Sequence, residues 1–243
     1  MNPPRRAART DAPVAPEVLA GDVEAVLDTL DAGGVAIIPT CLTYAIVGHG
    51  TDAIKSIFTA KARSYDKPCG LFGSPAMCRA LHDLPAQKHD MADALAYEEA
   101  LPFSIVAPFR AAHPFFAKVD PFVMAHSSKS GTMDMVVSGG PFVAALAARS
   151  FARGTAVFGS SANRSLQGSK YELADIEAEV RGAAGLELDY GRARWATPQG
   201  LSSTIIDFSD FSVVRIGHQF AQLAGAFKRR FAIELMPPKG ATA

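Results

Sequence analysis

Short apolar runs alternate with amphipathic helical segments along most of the chain, and this alternation constrains the fold more than any other feature. "VAIIP" at 35–39 reads as a buried strand. It follows "PEVLAGDVEAVLDTLDAGG", where Leu19, Val23, Val26, Leu27 and Leu30 fall on one helical face and Gly33 and Gly34 end the helix. A loop after Pro39 leads to a short helix over 51–60, capped by Thr51, with Ile54, Ile57 and Phe58 on its apolar side. "CGLFG" reads as a strand and "SPAMCRALHDL" as a helix with Ser74 as N-cap and Pro75 in its first turn. Residues 87–100 and "PFVAALAARSFA" are helical in pattern, as are "ELADIEAEVRG" and a closing amphipathic segment at 217–235. "FSIVAPF", "TMDMVVS", "TAVFGSS", "LELDY", "STIIDF" and "FSVVRIG" read as strands. Such interleaving gives one α/β domain around a single twisted sheet.

The length of 243 residues suits one large domain or two small ones, and with no repeat or linker visible the reading is one domain over 16–235. Residues 1–15, rich in Pro, Ala and Arg, are expected to be disordered, and 236–243 to form a frayed tail. Charge is balanced, 24 Lys and Arg against 24 Asp and Glu, which argues against a broad nucleic-acid footprint but leaves room for a local basic pocket. Cys41, Cys69 and Cys78 have no metal-ligand spacing, so no protein-bound metal is expected, and an odd count without a framework suits a reducing compartment. No secretory signal and no apolar stretch of membrane-spanning length is visible, so a cytoplasmic location without membrane contact is expected.

Three polar loops follow or precede apolar strands. They are Pro39-Thr40-Cys41-Leu42-Thr43-Tyr44, Gly159-Ser160-Ser161-Ala162-Asn163 and Ser202-Ser203-Thr204. Loops at strand ends of an open α/β sheet are common ligand sites. Lys61, Arg63 and Lys67 add three cations within seven residues of a helix end. Hydroxyls, an amide and cations, without paired acids or a Ser-His-Asp order, suit an anion such as phosphate. Each piece alone has a plain alternative: a solvated loop for "KARSYDK", a turn for "SSAN". "GHG" at 48–50 matches neither a dinucleotide fingerprint nor a P-loop.

Taken in order, "PTCLTYA", "KARSYDKP", "SSAN", "SSTIIDF" and "VVRIG" resemble the YrdC-like family, the threonylcarbamoyl-AMP synthases, over roughly residues 18–220. The family pattern runs Pro-Thr-(Asp/Glu)-x-x-(Tyr/Phe)-Gly, Lys-x-Arg-Pro-x-x-Lys-Pro, Ser/Thr-Ser-Ala-Asn, Ser-Thr-Val-Val-Asp and Leu-Arg-x-Gly. The resemblance implies a twisted open mixed sheet with helices around a positively charged groove. It implies formation of a carbamoyl-adenylate from ATP (with Mg²⁺), bicarbonate and an amino acid, with release of pyrophosphate. A downstream carbamoyl-transfer complex or tRNA would be the partner. Carried over by position, Lys61 and Arg63 would act on phosphate or carboxylate oxygens. Ser161, Asn163, Ser203 and Arg215 would hold the nucleotide, and Thr40, Tyr44 and Lys67 would line the substrate side. The chain departs from the pattern at Cys41, Ala45 and Ser64, at Phe72 where many members carry histidine, and at Val136, Val137 and Ser138, where an Arg-x-Pro is missing. A diverged groove that binds a nucleotide or RNA without turnover is the alternative class.

Overall fold

The computed structural model describes residues 9–238. Among them, nine strands form one open mixed sheet. The strands are β1 (Ala36–Pro39), β2 (Tyr44–Gly48), β3 (Gly70–Phe72), β4 (Ser104–Pro108), β5 (Thr132–Val136), β6 (Phe158–Ser161), β7 (Leu186–Glu187), β8 (Ile205–Asp207) and β9 (Val213–Arg215). Their order across the sheet is β7-β1-β2-β6-β3-β5-β4-β8-β9. The pairs β1–β7, β3–β5 and β4–β8 are parallel, and the other neighbours antiparallel. The expected α/β architecture is present.

Helix α1 (Pro16–Asp31) has proline in its first turn and buries Val23, Val26, Leu27 and Leu30, with Leu19 packed beside them. Gly33, at φ +80°, lets the chain reverse into β1, a conformation costly for any side chain with a Cβ. Helix α6 (Pro141–Arg153) lies against α1 and buries Phe142, Val143 and Leu146 in the same apolar cluster. These two helices cover the β1–β2 side of one sheet face. A larger cluster holds Ile46, Leu71, Met133, Met135 and Phe158 from the sheet. It joins them to Ile54, Ile57 and Phe58 of α2 (Thr51–Ala60) and to apolar residues of α3 (Pro75–Leu81) and α4 (Ala86–Asp93). Leu223, Ala226 and Phe227 of α8 (Phe220–Phe231) complete it. Burial at this scale, about 25 cal/mol per Å² of apolar surface, is the main stabilising term.

Several local expectations change. The stretch after Pro39 contains β2, a second buried strand forming a hairpin with β1. All five residues of β2 are buried, so no polar-apolar alternation marks it. Gly50, not Thr51, is the N-cap of α2. The predicted helix over 172–182 breaks into a 3₁₀ turn at Leu173–Asp175 and a single α turn, α7 (Ala178–Arg181), because Ile176 between them is extended. A short helix, α5 (Pro121–Ala125), has Asp120 as its cap.

The folded unit begins before residue 16. Arg9 bridges Arg192, the Thr10 N–H donates to the Arg192 carbonyl at 3.0 Å, and Thr10 is buried. Asp11 pairs with Arg9 and Arg194. The remainder of the expected disordered segment, 1–8, and residues 239–243 of the expected tail lie outside the described residues. Among the described residues no helix is long and apolar enough to cross a membrane.

Candidate functional site

The four central strands place one side chain in two on the open face of the sheet. Ala45 of β2, Gly159 and Ser161 of β6, Gly70 and Phe72 of β3, and Asp134 and Val136 of β5 all line a single groove. Their chain neighbours Ile46, Phe158, Leu71, Met133 and Met135 point into the core behind. The registers Ala45–Ser161, Gly70–Gly159 and Phe72–Val136 align these positions across the sheet. The groove exists because its floor is built largely from residues with little or no side chain. Gly159 has no alternative: a Cβ there would sit 2.1 Å from the Ile46 carbonyl oxygen.

Loops form the walls. Thr40, Leu42 and Thr43 come from the β1–β2 turn, Arg63 and Pro68 from the α2–β3 connection, Ser160 from β6, and Ser202, Ser203 and Arg215 from around β8 and β9. Residues distant in sequence thus bring two guanidinium groups and several hydroxyls to one place. Arg63 is held by its own loop: Nε donates to the Lys67 carbonyl and Nη2 to the Pro68 carbonyl, both at 2.8 Å. Arg215 is held by the facing loop, with Nε on the Ser203 carbonyl at 3.0 Å and Nη2 on Ser203 Oγ at 2.8 Å. Ser203 Oγ also accepts from Ser104 Oγ at 3.0 Å. Burial lowers the pKa of both arginines, yet a guanidinium stays protonated under any ordinary condition. The two cations are therefore fixed before any ligand arrives, which limits the ordering entropy that binding must overcome.

The other residues singled out from the sequence stand elsewhere. Lys61 is buried beneath the groove. Its Nζ donates to the carbonyls of Ser161 and Asn163, and burial pulls its pKa down to about 7. The side chain thus fixes the backbone of the Ser160–Asn163 loop and does not line the groove. Asn163 is buried as well, with Nδ2 donating to the Arg164 carbonyl at 2.6 Å, and it is absent from the lining. Lys67 is exposed, and its contribution is the carbonyl that holds Arg63. Of the three cations at the α2–β3 connection, one lies below the groove, one lines it and one faces water.

Thr40 lines the groove, but its hydroxyl is occupied: Oγ1 donates to the Thr43 carbonyl at 2.6 Å and accepts from the Leu42 and Thr43 N–H groups at 3.0 Å. It shapes the turn. Tyr44 points to the opposite face. Its hydroxyl donates to the Gly191 carbonyl at 2.7 Å, lies 3.1 Å from Asp189 Oδ1 and accepts from the Tyr190 N–H at 3.1 Å. This network ties β2 to the chain after β7, so the expected substrate-side position of Tyr44 is instead a structural one.

Among the departures from the family pattern, Ala45, Phe72 and Val136 line the groove and make part of it apolar. Cys41 lies behind the wall, in a separate cavity with Asp11, Pro102, Ser138, Arg194 and Trp195. Burial pushes its thiol up to about 12, so it is neutral and unreactive at physiological pH.

Sequence reasoning missed Asp134. The segment Thr132-Met133-Asp134-Met135-Val136 alternates between partly exposed and buried positions, which sets Asp134 on the groove face. That alternation is legible in the letters. What is not legible is that β5 pairs with β3, and so carries Asp134 into the groove that Arg63 and Arg215 also line. Burial raises its carboxyl to about 6, against the opposing pull of Arg215 and Arg63.

Comparison with solved structures finds the same fold. A search of curated proteins finds no match. Among solved structures, the chain is similar to a hypothetical protein, smu.1377c, from Streptococcus mutans UA159, with a TM-score of 0.76 at 16% identity, covering 99% of this chain and 100% of that one. It is similar to P. abyssi Sua5, crystallised with L-threonine, with a TM-score of 0.68 at 18% identity; the match covers 98% of this chain but only 65% of Sua5. It also resembles E. coli YciO, with a TM-score of 0.61 at 16% identity, covering 89% of this chain and 96% of that one. The family model Sua5_yciO_yrdC, described as "Telomere recombination", matches residues 28–217, and the chain belongs to the Sua5/YciO/YrdC family.

Proposed function

We propose that the groove condenses ATP, bicarbonate and an amino acid into a carbamoyl-adenylate and releases pyrophosphate, as a threonylcarbamoyl-AMP synthase does. The observation that carries this reading is the convergence of Arg63, Arg215, Ser161, Ser202 and Ser203 on one groove across the sheet centre. Two prefixed guanidinium groups suit the negative charge that grows on the α-phosphoryl oxygens and on departing pyrophosphate. Interactions stronger in that transition state than in the ground state lower the barrier. The carbamate supplies its own attacking oxygen, so no protein nucleophile is required and positioning does the rest. Ser161 and Ser203 line the groove and would hold the nucleotide, while Lys61 acts from below by fixing the backbone carbonyls of Ser161 and Asn163, and the Asn163 side chain holds the Arg164 carbonyl.

Among the described residues no group of three or more His, Cys, Asp or Glu side chains could hold a metal ion. Magnesium would travel on the nucleotide's phosphates, where it would supply charge neutralisation. The product would pass to a carbamoyl-transfer complex acting on tRNA, in line with family membership. A second reading, a groove that binds a nucleotide or RNA without turnover, is favoured by the apolar lining at Phe72 and Val136. Pyrophosphate release from ATP and bicarbonate, screened across the amino acids, tests the first reading. Tight ATP binding with no release under any amino acid would favour the second.

A further inference from the structure

Asp134 is the one carboxylate among the described residues that line the groove. Its Oδ1 is shielded from water and has no hydrogen-bond partner among the described residues. The side chains around it do not supply one: Gly70, Phe72 and Val136, which share the floor, carry no side-chain donor. Neither arginine donates to it: Arg63 turns Nε and Nη2 to the Lys67 and Pro68 carbonyls, and Arg215 turns Nε and Nη2 to Ser203. Asp134 is thus not what holds the arginines in place. A carboxylate set near two cations also weakens the pull of the groove on a polyphosphate, so it works against the ligand the arginines alone would select. A carboxylate with no donor from the protein is costly to hold in the groove floor unless a ligand supplies the missing partner.

The geometry points to Asp134 as the residue that receives the ammonium group of the amino-acid substrate, with the substrate's carboxylate turned toward the cationic side of the groove that Arg63 and Arg215 also offer to the nucleotide's phosphates. A phosphate or a carboxylate is anionic near neutral pH and would be repelled by the Asp134 carboxylate. A zwitterion matches the arrangement of two cations and one anion, with its own charges a single carbon apart. This assignment rests on the proposed carbamoyl-adenylate reading for its substrate class, and it makes Asp134 a specificity-determining residue for amines.

The test is calorimetric titration, in EDTA and without nucleotide, of the twenty amino acids. For the one that binds most tightly, its 2-hydroxy-acid counterpart is titrated too, since it keeps the carboxylate and loses the ammonium. The wild-type protein is expected to bind the hydroxy acid at least about tenfold more weakly, the scale of one charge-assisted hydrogen bond. Asp134→Asn should weaken the amino acid by a similar factor, leave the hydroxy acid unchanged or tighter, and leave ATP affinity undiminished. Amino-acid affinity within twofold of wild type in Asp134→Asn would overturn the assignment. So would equal affinity of the wild type for amino and hydroxy acid, which needs no variant to fold. Binding of magnesium alone, abolished by Asp134→Asn, would make Asp134 a cation ligand and also overturn it. Absence of ATP binding and of pyrophosphate release would refute the carbamoyl-adenylate reading instead, and these titrations read out independently of either.

Discussion

Replacing Asp134 with asparagine removes a charge from the groove floor and keeps the shape of the side chain. The consequence for stability follows from the environment of the carboxyl. Burial raises its pKa from an ordinary 3.8 to about 6, and the nearby Arg215 and Arg63 only partly oppose this. The interval corresponds to about 3 kcal/mol between the two protonation states. A carboxyl whose pKa is raised in the folded state contributes its stability in full below the unfolded value, and that contribution is lost as pH rises through the folded value. Wild-type stability should therefore fall between about pH 4 and pH 7 by an amount that Asp134→Asn does not show. At pH 7 the variant should be about 2–3 kcal/mol more stable, the lower end allowing for the amide's own imperfect pairing at this site. At pH 4 the two should nearly coincide. Urea unfolding at pH 4, 5, 6, 7 and 8, fitted by linear extrapolation, measures the difference directly. Parallel curves across that range, or a variant less stable at pH 7, would show that the carboxylate is well solvated or firmly paired, and the reasoning about the groove floor would fail.

Other substitutions separate groove residues from those that support them. Lys61→Met should lower stability by about 2–4 kcal/mol, because two buried carbonyls lose their donor, and chemical denaturation would detect it. Arg63→Ala and Arg215→Ala should each weaken ATP by about 1.5–3 kcal/mol in calorimetry, the scale of a charge-assisted contact, with a much smaller loss of stability than Lys61→Met. Tyr44→Phe should cost about 1–3 kcal/mol of stability and leave nucleotide affinity within twofold, since its hydroxyl serves the Asp189–Gly191 segment. Gly159→Ala should destabilise by about 3 kcal/mol or prevent folding, seen as a drop in the denaturation midpoint or as insoluble expression, because its Cβ would collide with a backbone carbonyl in the sheet centre.

How much of this was legible in the sequence depended on whether the signal was local. Helix α1, with its apolar spacing, first-turn proline and terminal glycine, could be read from its own residues, and so could the Ser74 cap of α3, which accepts from the Met77 N–H at 3.2 Å. Strand β2 could not, because a strand buried on both faces has no alternation to distinguish it from an apolar loop. Motif order located the groove, since the loops bearing Arg63, Ser161, Ser203 and Arg215 do meet there. Motif order could not separate the surface of the groove from its underside. Lys61 and Arg63 are two residues apart, yet one is sealed beneath the floor and the other lines the wall. That difference arises where the chain leaves α2, with Ala62 at φ +46°, and no pattern of residue types encodes it. Asp134 was hidden for a related reason: its neighbours in the groove come from strand pairing, not from the chain beside it.

The central claim is that this groove makes a carbamoyl-adenylate, and pyrophosphate release tests it most directly. Purified protein is incubated with ATP, magnesium and bicarbonate, with and without each of the twenty amino acids. Release should require both bicarbonate and an amino acid, and should fall at least about a hundredfold, roughly 2.7 kcal/mol of transition-state stabilisation, when Arg63 and Arg215 are both replaced by alanine. Release that ignores bicarbonate, or that persists undiminished in the double variant, would contradict the account.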